Sequence, residues 1–172
     1  MEEKFVKRNI GLVAHDAMKK DLTEWALFNS EKLIGHKFYA TGTTGSIIKR
    51  ALEQKHPDVE WDFTILNSGP LGGDQQMGSR MVDGMIDYLF FLTDPMSMQP
   101  HDTDIKALTR LASVENIIFC CNRATADHII SSPLFQDASY KHRPLNFESY
   151  SRRFEGRDIV SEAITESENK NQ

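Results

Sequence analysis

Cysteine is scarce in this 172-residue chain, which contains only Cys120 and Cys121, side by side. Neighbouring residues of a strand point to opposite faces of a sheet, so we expect no disulfide between them and a role in core packing. No C-x-x-C pair occurs, which excludes the usual cysteine frameworks for zinc binding or redox chemistry.

A basic excess and a long apolar run are missing too. Lys and Arg total 20 against 25 Asp and Glu, a net charge of −5. This balance excludes a general nucleic-acid binder, because a phosphate backbone needs basic residues to neutralise it. No apolar stretch approaches the ~20 residues that cross a bilayer, and no apolar leader opens the sequence. We therefore expect a soluble, cytoplasmic protein with neither nucleic-acid nor membrane partners, which recognises any phosphate at one local pocket.

Short apolar runs alternate with amphipathic segments along most of the chain, a pattern that predicts a parallel sheet with helices on both faces. The predicted strands are Asn9–Ala14, Lys37–Ala40, Trp61–Leu66, Ile86–Leu92 and Asn116–Cys121. The predicted helices are Ala17–Asn29, Thr44–Gln54, Gln75–Asp83, Asp104–Ala112 and Thr125–Ser131. The fold class is α/β: a single-domain, five-stranded, Rossmann-like sheet.

The end of the sequence differs in character. Strand signals stop near Gln136, so we assign residues 1–135 to the α/β domain and residues 136–160 to a partly helical extension. Residues 161–172 are polar and acidic, which is typical of a disordered tail.

Polar residues gather directly after each predicted strand, where open parallel sheets bind their ligands. The clusters are His15 to Lys19, Thr41 to Gly45, Ser68 and Gly69 with Asp74, Asp94 with Pro100 to Asp104, and Asn122 to Thr125. Because all five strand ends carry such groups, capping alone is a weak explanation.

Three of these features allow a structural and a functional interpretation. Asp74 follows a glycine-rich turn whose backbone N–H groups suit an anion, or it caps the next helix. The segment Thr41–Gly45 is a phosphate cradle at a helix N-terminus or an ordinary capped turn, and it is not a Walker loop. Lys19 lies one turn after His15, facing the same pocket or solvated beside Lys20.

Two His-Asp pairs, His15-Asp16 and His101-Asp102, invite a metal-site interpretation. Neither pair has the H-x-x-x-H or carboxylate-rich spacing of a strong metal motif. We predict no metal and no other cofactor.

Taken together, these motifs resemble the methylglyoxal synthase family. The resemblance rests on the segments Val13–Asp16, Tyr39–Gly45, Ser68–Gln76, Asp94-Pro95 and Pro100–Asp102, and it spans about residues 9–135. It implies conversion of dihydroxyacetone phosphate into methylglyoxal and inorganic phosphate, without a cofactor, in a homohexamer that phosphate inhibits. The alternative from another class is a non-catalytic sensor that binds a phosphorylated metabolite in the same cradle.

The resemblance also implies roles for individual residues. Asp74 is the general base and His101 handles protons at the substrate oxygens, whereas a sensor would need neither. The phosphate and substrate contacts would be His15, Lys19, Thr41, Gly42, Thr43, Thr44, Ser68 and Gly69, with Asp16, Asp94 and Asp104 in support. Two features depart from the family: an insert at Lys55–Glu60, and a C-terminal arginine for which Arg153 or Arg157 is the nearest match.

Overall fold

The computed structural model describes residues 5–98, 102–143, 145–153, 155, 156, 158, 160, 161 and 164. Their five strands form one parallel sheet in the order β3-β2-β1-β4-β5. The strands are β1 (Asn9–Ala14), β2 (Lys37–Thr41), β3 (Asp62–Leu66), β4 (Tyr88–Leu92) and β5 (Ile118–Cys120). The chain builds outward from β1 to β3 and then returns to the other side of β1, so the order reverses between β1 and β4.

Helices cover both faces of the sheet, as the alternating pattern predicts. Those of ten or more residues are α1 (Lys19–Phe28), α3 (Gly42–Lys55), α4 (Gly73–Val82) and α5 (Asp102–Val114). Shorter ones are α2 (Ser30–Leu33), α6 (Arg123–Ser131), α7 (Pro133–Gln136) and α8 (Glu148–Ser151), with 3-10 turns at Asp16–Met18 and Gly69–Leu71. The predicted fold class is confirmed.

Two apolar layers hold these helices to the sheet. Tyr88, Phe90 and Leu92 of β4 pack with α1, α3 and α6 on one face, and Trp25 of α1 lies 4.5 Å from the Phe90 ring. Leu89 and Phe91 alternate to the other face and pack with α4 and α5. All five residues of β4 are buried, as expected for a strand covered on both sides.

Several element ends differ from the sequence-based prediction by one to three residues. Helices α3, α4 and α5 each begin two residues earlier than predicted, because their first turns contain glycine or small polar residues that adopt helical geometry. Lys55 is the last residue of α3, so the insert at Lys55–Glu60 begins within that helix. Both cysteines are free, without a disulfide between them; Cys120 packs in the core, whereas the core-packing prediction is wrong for Cys121, which is exposed. Among the described residues, no helix has the length and apolar character needed to span a membrane.

Candidate active site

A cavity of about 400 Å³ opens at the carboxyl ends of β1, β2 and β3. This is the edge of the sheet where ligands of open α/β folds bind, beside the reversal of strand order. Its lining comprises Val13, Ala14, His15, Asp16, Lys19, Thr41, Thr43, Thr44, Ser68, Gly69, Pro70, Asp74 and Phe91. Nine predicted site residues, distant in sequence, therefore meet around one space.

The start of α3 supplies the anion-binding side of the cavity. Thr41 is the residue before the helix, and its side chain makes no capping hydrogen bond among the described residues. The Gly42 N–H donates to the Asn67 carbonyl at 3.1 Å. The next two N–H groups, of Thr43 and Thr44, have no intrahelical acceptor, as in any helix. Together with the helix dipole they favour a bound anion.

Lys19 adds a positive charge to this side. Its side chain is 21% exposed and pairs with Asp16, whereas the side chain of Lys20 is 88% exposed. The structure therefore places Lys19 at the cavity, and Lys20 occupies the solvated face of α1.

His15 lines the cavity, and a hydrogen bond to its ring defines which ring nitrogen carries the proton. Its Nδ1 accepts a hydrogen bond from the Asp94 backbone N–H at 2.9 Å, and its ring meets the Phe91 ring edge-on at 5.3 Å. The neutral imidazole then carries its proton on Nε2 and acts as a donor from that atom. Asp94 thus contacts His15 through its backbone. Its carboxylate accepts from Ser97 and Met96, and these hydrogen bonds lower the Asp94 pKa.

Asp74 is the second residue of α4 and is 3% exposed. The helix-capping interpretation of Asp74 is wrong, because Gly72 occupies the cap position. A carboxylate in the first turn of a helix is favoured by the dipole, yet solvated acids serve that purpose equally well. Neither a capping role nor an interaction with the dipole explains why Asp74 is buried beside the cavity.

The glycine-rich turn before Asp74 does not form the anion-binding nest that the sequence suggests. The N–H groups of Leu71 and Gly73 both donate to the Ser68 carbonyl at 2.9 Å, and that of Gly72 donates to Gly69 at 3.1 Å. These donors are used within the turn. Of this stretch, Ser68, Gly69 and Pro70 line the cavity beside Asp74.

Two other predicted features, Asp104 and the polar cluster after β5, lie away from this cavity. Asp104 lines a second cavity of about 370 Å³ between α4 and α5, and Asp74 also borders it. His101 lies outside the described residues. In the fifth polar cluster, the Asn122 side chain caps α6 by accepting from the Thr125 N–H at 2.9 Å, and Arg123 pairs with Asp21. That cluster is structural, so capping does explain one of the five strand ends.

Within the part of the chain that the structure describes, no group of three or more His, Cys, Asp or Glu side chains is arranged to hold a metal ion. Sequence reasoning missed one cavity residue with a distinct role, Phe91, which packs against His15. The alternation of side chains between the two faces of β4 could have indicated the position of Phe91.

The sheet order and the cavity define an open α/β domain with a polar cleft beside the point where its strand order reverses. Comparisons with known proteins agree: the MGS-like domain model matches residues 22–121. Methylglyoxal synthase of Oleidesulfovibrio alaskensis is 48% identical over 86% of this chain and 95% of its own length. That of Proteus mirabilis is 48% identical over 84% and 90%. The crystal structure of methylglyoxal synthase from Elizabethkingia anophelis NUHP1 superposes with a TM-score of 0.72 at 42% identity, covering 86% of this chain and 91% of that one. The chain belongs to the methylglyoxal synthase family.

Proposed function

We propose that this protein is a carbon–oxygen lyase that converts dihydroxyacetone phosphate into methylglyoxal and inorganic phosphate. Family membership supports this activity. The observation that carries it is the meeting of a buried carboxylate, Asp74, with the start of α3 and Lys19 around one cavity. A base and an anion cradle that line one small cavity suit a phosphorylated ketone.

The reaction needs a proton removed beside a ketone and a phosphate expelled from the far carbon. Asp74 takes a proton from the hydroxymethyl carbon, and the electron pair moves onto the carbonyl oxygen to form an enediolate. The enediolate electrons then break the C–O bond, whose electron pair leaves with phosphate. The resulting enol takes up a proton at its terminal carbon and becomes methylglyoxal. One proton leaves carbon and one returns, so no oxidant, reductant or metal is required.

The other side chains have distinct roles in this proposal. The phosphate is held by Lys19, by the hydroxyl of Thr41 and the N–H and hydroxyl groups of Thr43 and Thr44, and by Ser68 and Gly69. Gly42 lets the backbone approach closely, while its own N–H donates to the Asn67 carbonyl. His15 Nε2–H donates to a substrate oxygen as negative charge develops. His101 handles the proton at the substrate oxygens, Asp16 orients Lys19 through their ion pair, and Asp94 and Asp104 support the site.

A non-catalytic phosphate sensor is the alternative function. A sensor needs Lys19 and the start of α3, but a buried carboxylate near a bound phosphate would weaken its binding. The position of Asp74 therefore favours the lyase. The deciding test incubates purified protein with dihydroxyacetone phosphate and follows methylglyoxal and free phosphate together. Equal rates of appearance are expected, and binding without either product would identify a sensor.

We further propose a cytoplasmic homo-oligomer, a hexamer by family resemblance, that inorganic phosphate inhibits. Phosphate is a product and fits the same cradle, so it competes with the substrate's phosphate group. Arg153 is the candidate for the family's C-terminal arginine; its guanidinium lies 3.8 Å from the Tyr150 ring centre. The other candidate, Arg157, lies outside the described residues. Light scattering of the purified protein, with and without phosphate, tests the assembly.

A further inference from the structure

One peptide group, between Asn67 and Ser68, lies between the two helix starts that form the site. On one side is Gly42, the first residue of α3; on the other is Gly73, the first residue of α4. Thr43 directly follows Gly42 and Asp74 directly follows Gly73. The peptide therefore separates the anion cradle from the proposed base.

Both glycines pack closely against this peptide group. The Gly42 N–H donates to the Asn67 carbonyl oxygen at 3.1 Å, and a Cβ added to Gly42 would lie 2.9 Å from the Ser68 nitrogen. A Cβ added to Gly73 would lie 2.0 Å from the Asn67 carbonyl oxygen. A side chain at either glycine would collide with this peptide group, so both helix starts pack directly against it.

The side chain of Gln76 holds the preceding peptide group, between Leu66 and Asn67. Its Oε1 accepts a hydrogen bond from the Asn67 backbone N–H at 2.8 Å, from one turn into α4. Asn67 Nδ2 also donates to the Leu71 carbonyl at 3.2 Å. Gln76 thus ties the segment leaving β3 to the same helix that carries Asp74.

We propose that Gln76 is a positioning residue: by holding the Asn67 N–H it fixes the backbone that leads into the Asn67–Ser68 peptide. It thereby sets the placement of Asp74 relative to the phosphate cradle, and so commits the enediolate to phosphate elimination. The inference rests on the proposed lyase function. Gln76 is not among the residues that line the cavity, and it acts on base and cradle through the backbone of Asn67.

The placement matters because the enediolate has two fates. Phosphate leaves only when its C–O bond is aligned with the π system of the enediolate. Otherwise the intermediate is protonated again, and it returns to dihydroxyacetone phosphate or becomes glyceraldehyde 3-phosphate. A small rotation of the cradle relative to Asp74 disfavours phosphate elimination without preventing proton removal.

The test measures this partition in D₂O. Parent enzyme and Gln76→Met are incubated with dihydroxyacetone phosphate, and deuterium in recovered substrate plus glyceraldehyde 3-phosphate is compared with methylglyoxal formed. We expect Gln76→Met to raise the ratio of reprotonation to elimination about three- to tenfold, since one neutral hydrogen bond is worth a power of ten or less. Gln76→Glu keeps an acceptor oxygen and should keep the parent ratio.

Two further variants make the outcome decisive. Gln75→Met changes the neighbouring exposed glutamine and should leave the ratio unaltered. If Gln76→Met does not fold, Gly42→Ala displaces the peptide from its other side and should also raise the ratio. A parental ratio in a folded Gln76→Met or Gly42→Ala variant overturns the inference while the lyase function stands. A parent enzyme that forms no methylglyoxal overturns the function and the inference with it.

Discussion

Lys19 and Lys20 are adjacent in sequence, yet only Lys19 lines the cavity. At the scale of single residues, comparing the two lysines separates the effect of a contact in the cavity from the effect of net charge. A hydrogen bond to a charged group contributes about 1.5–3 kcal/mol, so Lys19→Met should weaken substrate and inorganic phosphate affinity in parallel, by about one to two powers of ten. Competition kinetics with phosphate measures both.

Lys20→Met is the matched control, because it removes the same charge from the solvated face of the same helix. Its exposed ion pair with Glu24, at 3.8 Å, contributes little. Equal losses in the two variants would mean that net charge, and not a contact in the cavity, attracts the phosphate.

Asp74→Asn tests the base. Asparagine keeps the size of the side chain, and the helix keeps its start because Gly72 occupies the cap position. Removing a general base costs about 10²–10⁴ in rate, so kcat should fall by that factor while the fold persists. Circular dichroism checks the fold and phosphate release gives kcat. Turnover near the parent level in the folded variant would leave Asp74 without a catalytic role.

At the scale of elements, Arg8 joins the start of β1 to the segment around α7. It is buried, and its guanidinium donates to the carbonyls of Leu134, Phe135, Asp137 and Tyr140 at 2.7–3.3 Å. The end of a helix leaves carbonyls without partners, and a cation there also suits the dipole. One N-terminal side chain therefore anchors the segment that follows the α/β core.

Arg8→Met should lower the free energy of unfolding by at least about 2 kcal/mol, because it leaves several carbonyls unsatisfied. Denaturant unfolding measures the change. The neighbouring Lys7 provides the control: it forms an exposed ion pair with Asp62 at 2.9 Å, so Lys7→Met should cost less than about 1 kcal/mol. Similar losses for both would show that the carbonyl contacts of Arg8 add nothing.

Also at the scale of elements, the sequence could predict some features of the fold and not others. Periodicity identifies the five strands and the longer helices, because each buries a continuous apolar face. It does not identify α2 and α7, whose four residues are too short for a period. Glycine content alone suggested an anion nest before Asp74, but hydrogen bonds within the turn, from Gly72 to Gly69 and from Gly73 to Ser68, decide where those N–H groups point. The role of Gln76 was equally hidden, since its partner is a backbone N–H nine residues away in sequence.

At the scale of the whole molecule, His36 couples stability to pH. Its ring lies between Phe5, at 5.2 Å, and Phe135, at 5.3 Å, and its Nδ1 accepts from the Arg8 N–H. Burial, reinforced by the Arg8 charge, lowers the His36 pKa from 6.5 to about 4. The folded protein therefore resists a proton that the unfolded chain binds.

The direction in which stability changes with pH follows from this difference between the folded and unfolded states. As pH falls from 6.5 to about 4, the unfolded chain gains a proton at His36 and the folded protein does not, so stability should decrease by roughly 3 kcal/mol. Below about 4 both states are protonated and this contribution becomes constant. The described carboxylates whose pKa is lowered, Asp62, Asp94, Asp137 and Asp158, lose their contribution chiefly below 3.8. Among the described groups with a shifted pKa, His36 is therefore the one that titrates between 6.5 and about 4.

His36→Asn isolates this contribution to acid sensitivity, because asparagine keeps an acceptor for the Arg8 N–H but does not titrate. Denaturant unfolding at half-unit steps from pH 4 to 7 should give a steep decline in stability for the parent and a markedly flatter curve for the variant, whatever its stability at pH 7. Parallel curves would assign the acid sensitivity to other groups. The aromatic packing that excludes water from His36 also joins Phe5 to α7, so loss of this packing in acid would loosen the same N-terminal anchor that Arg8 provides.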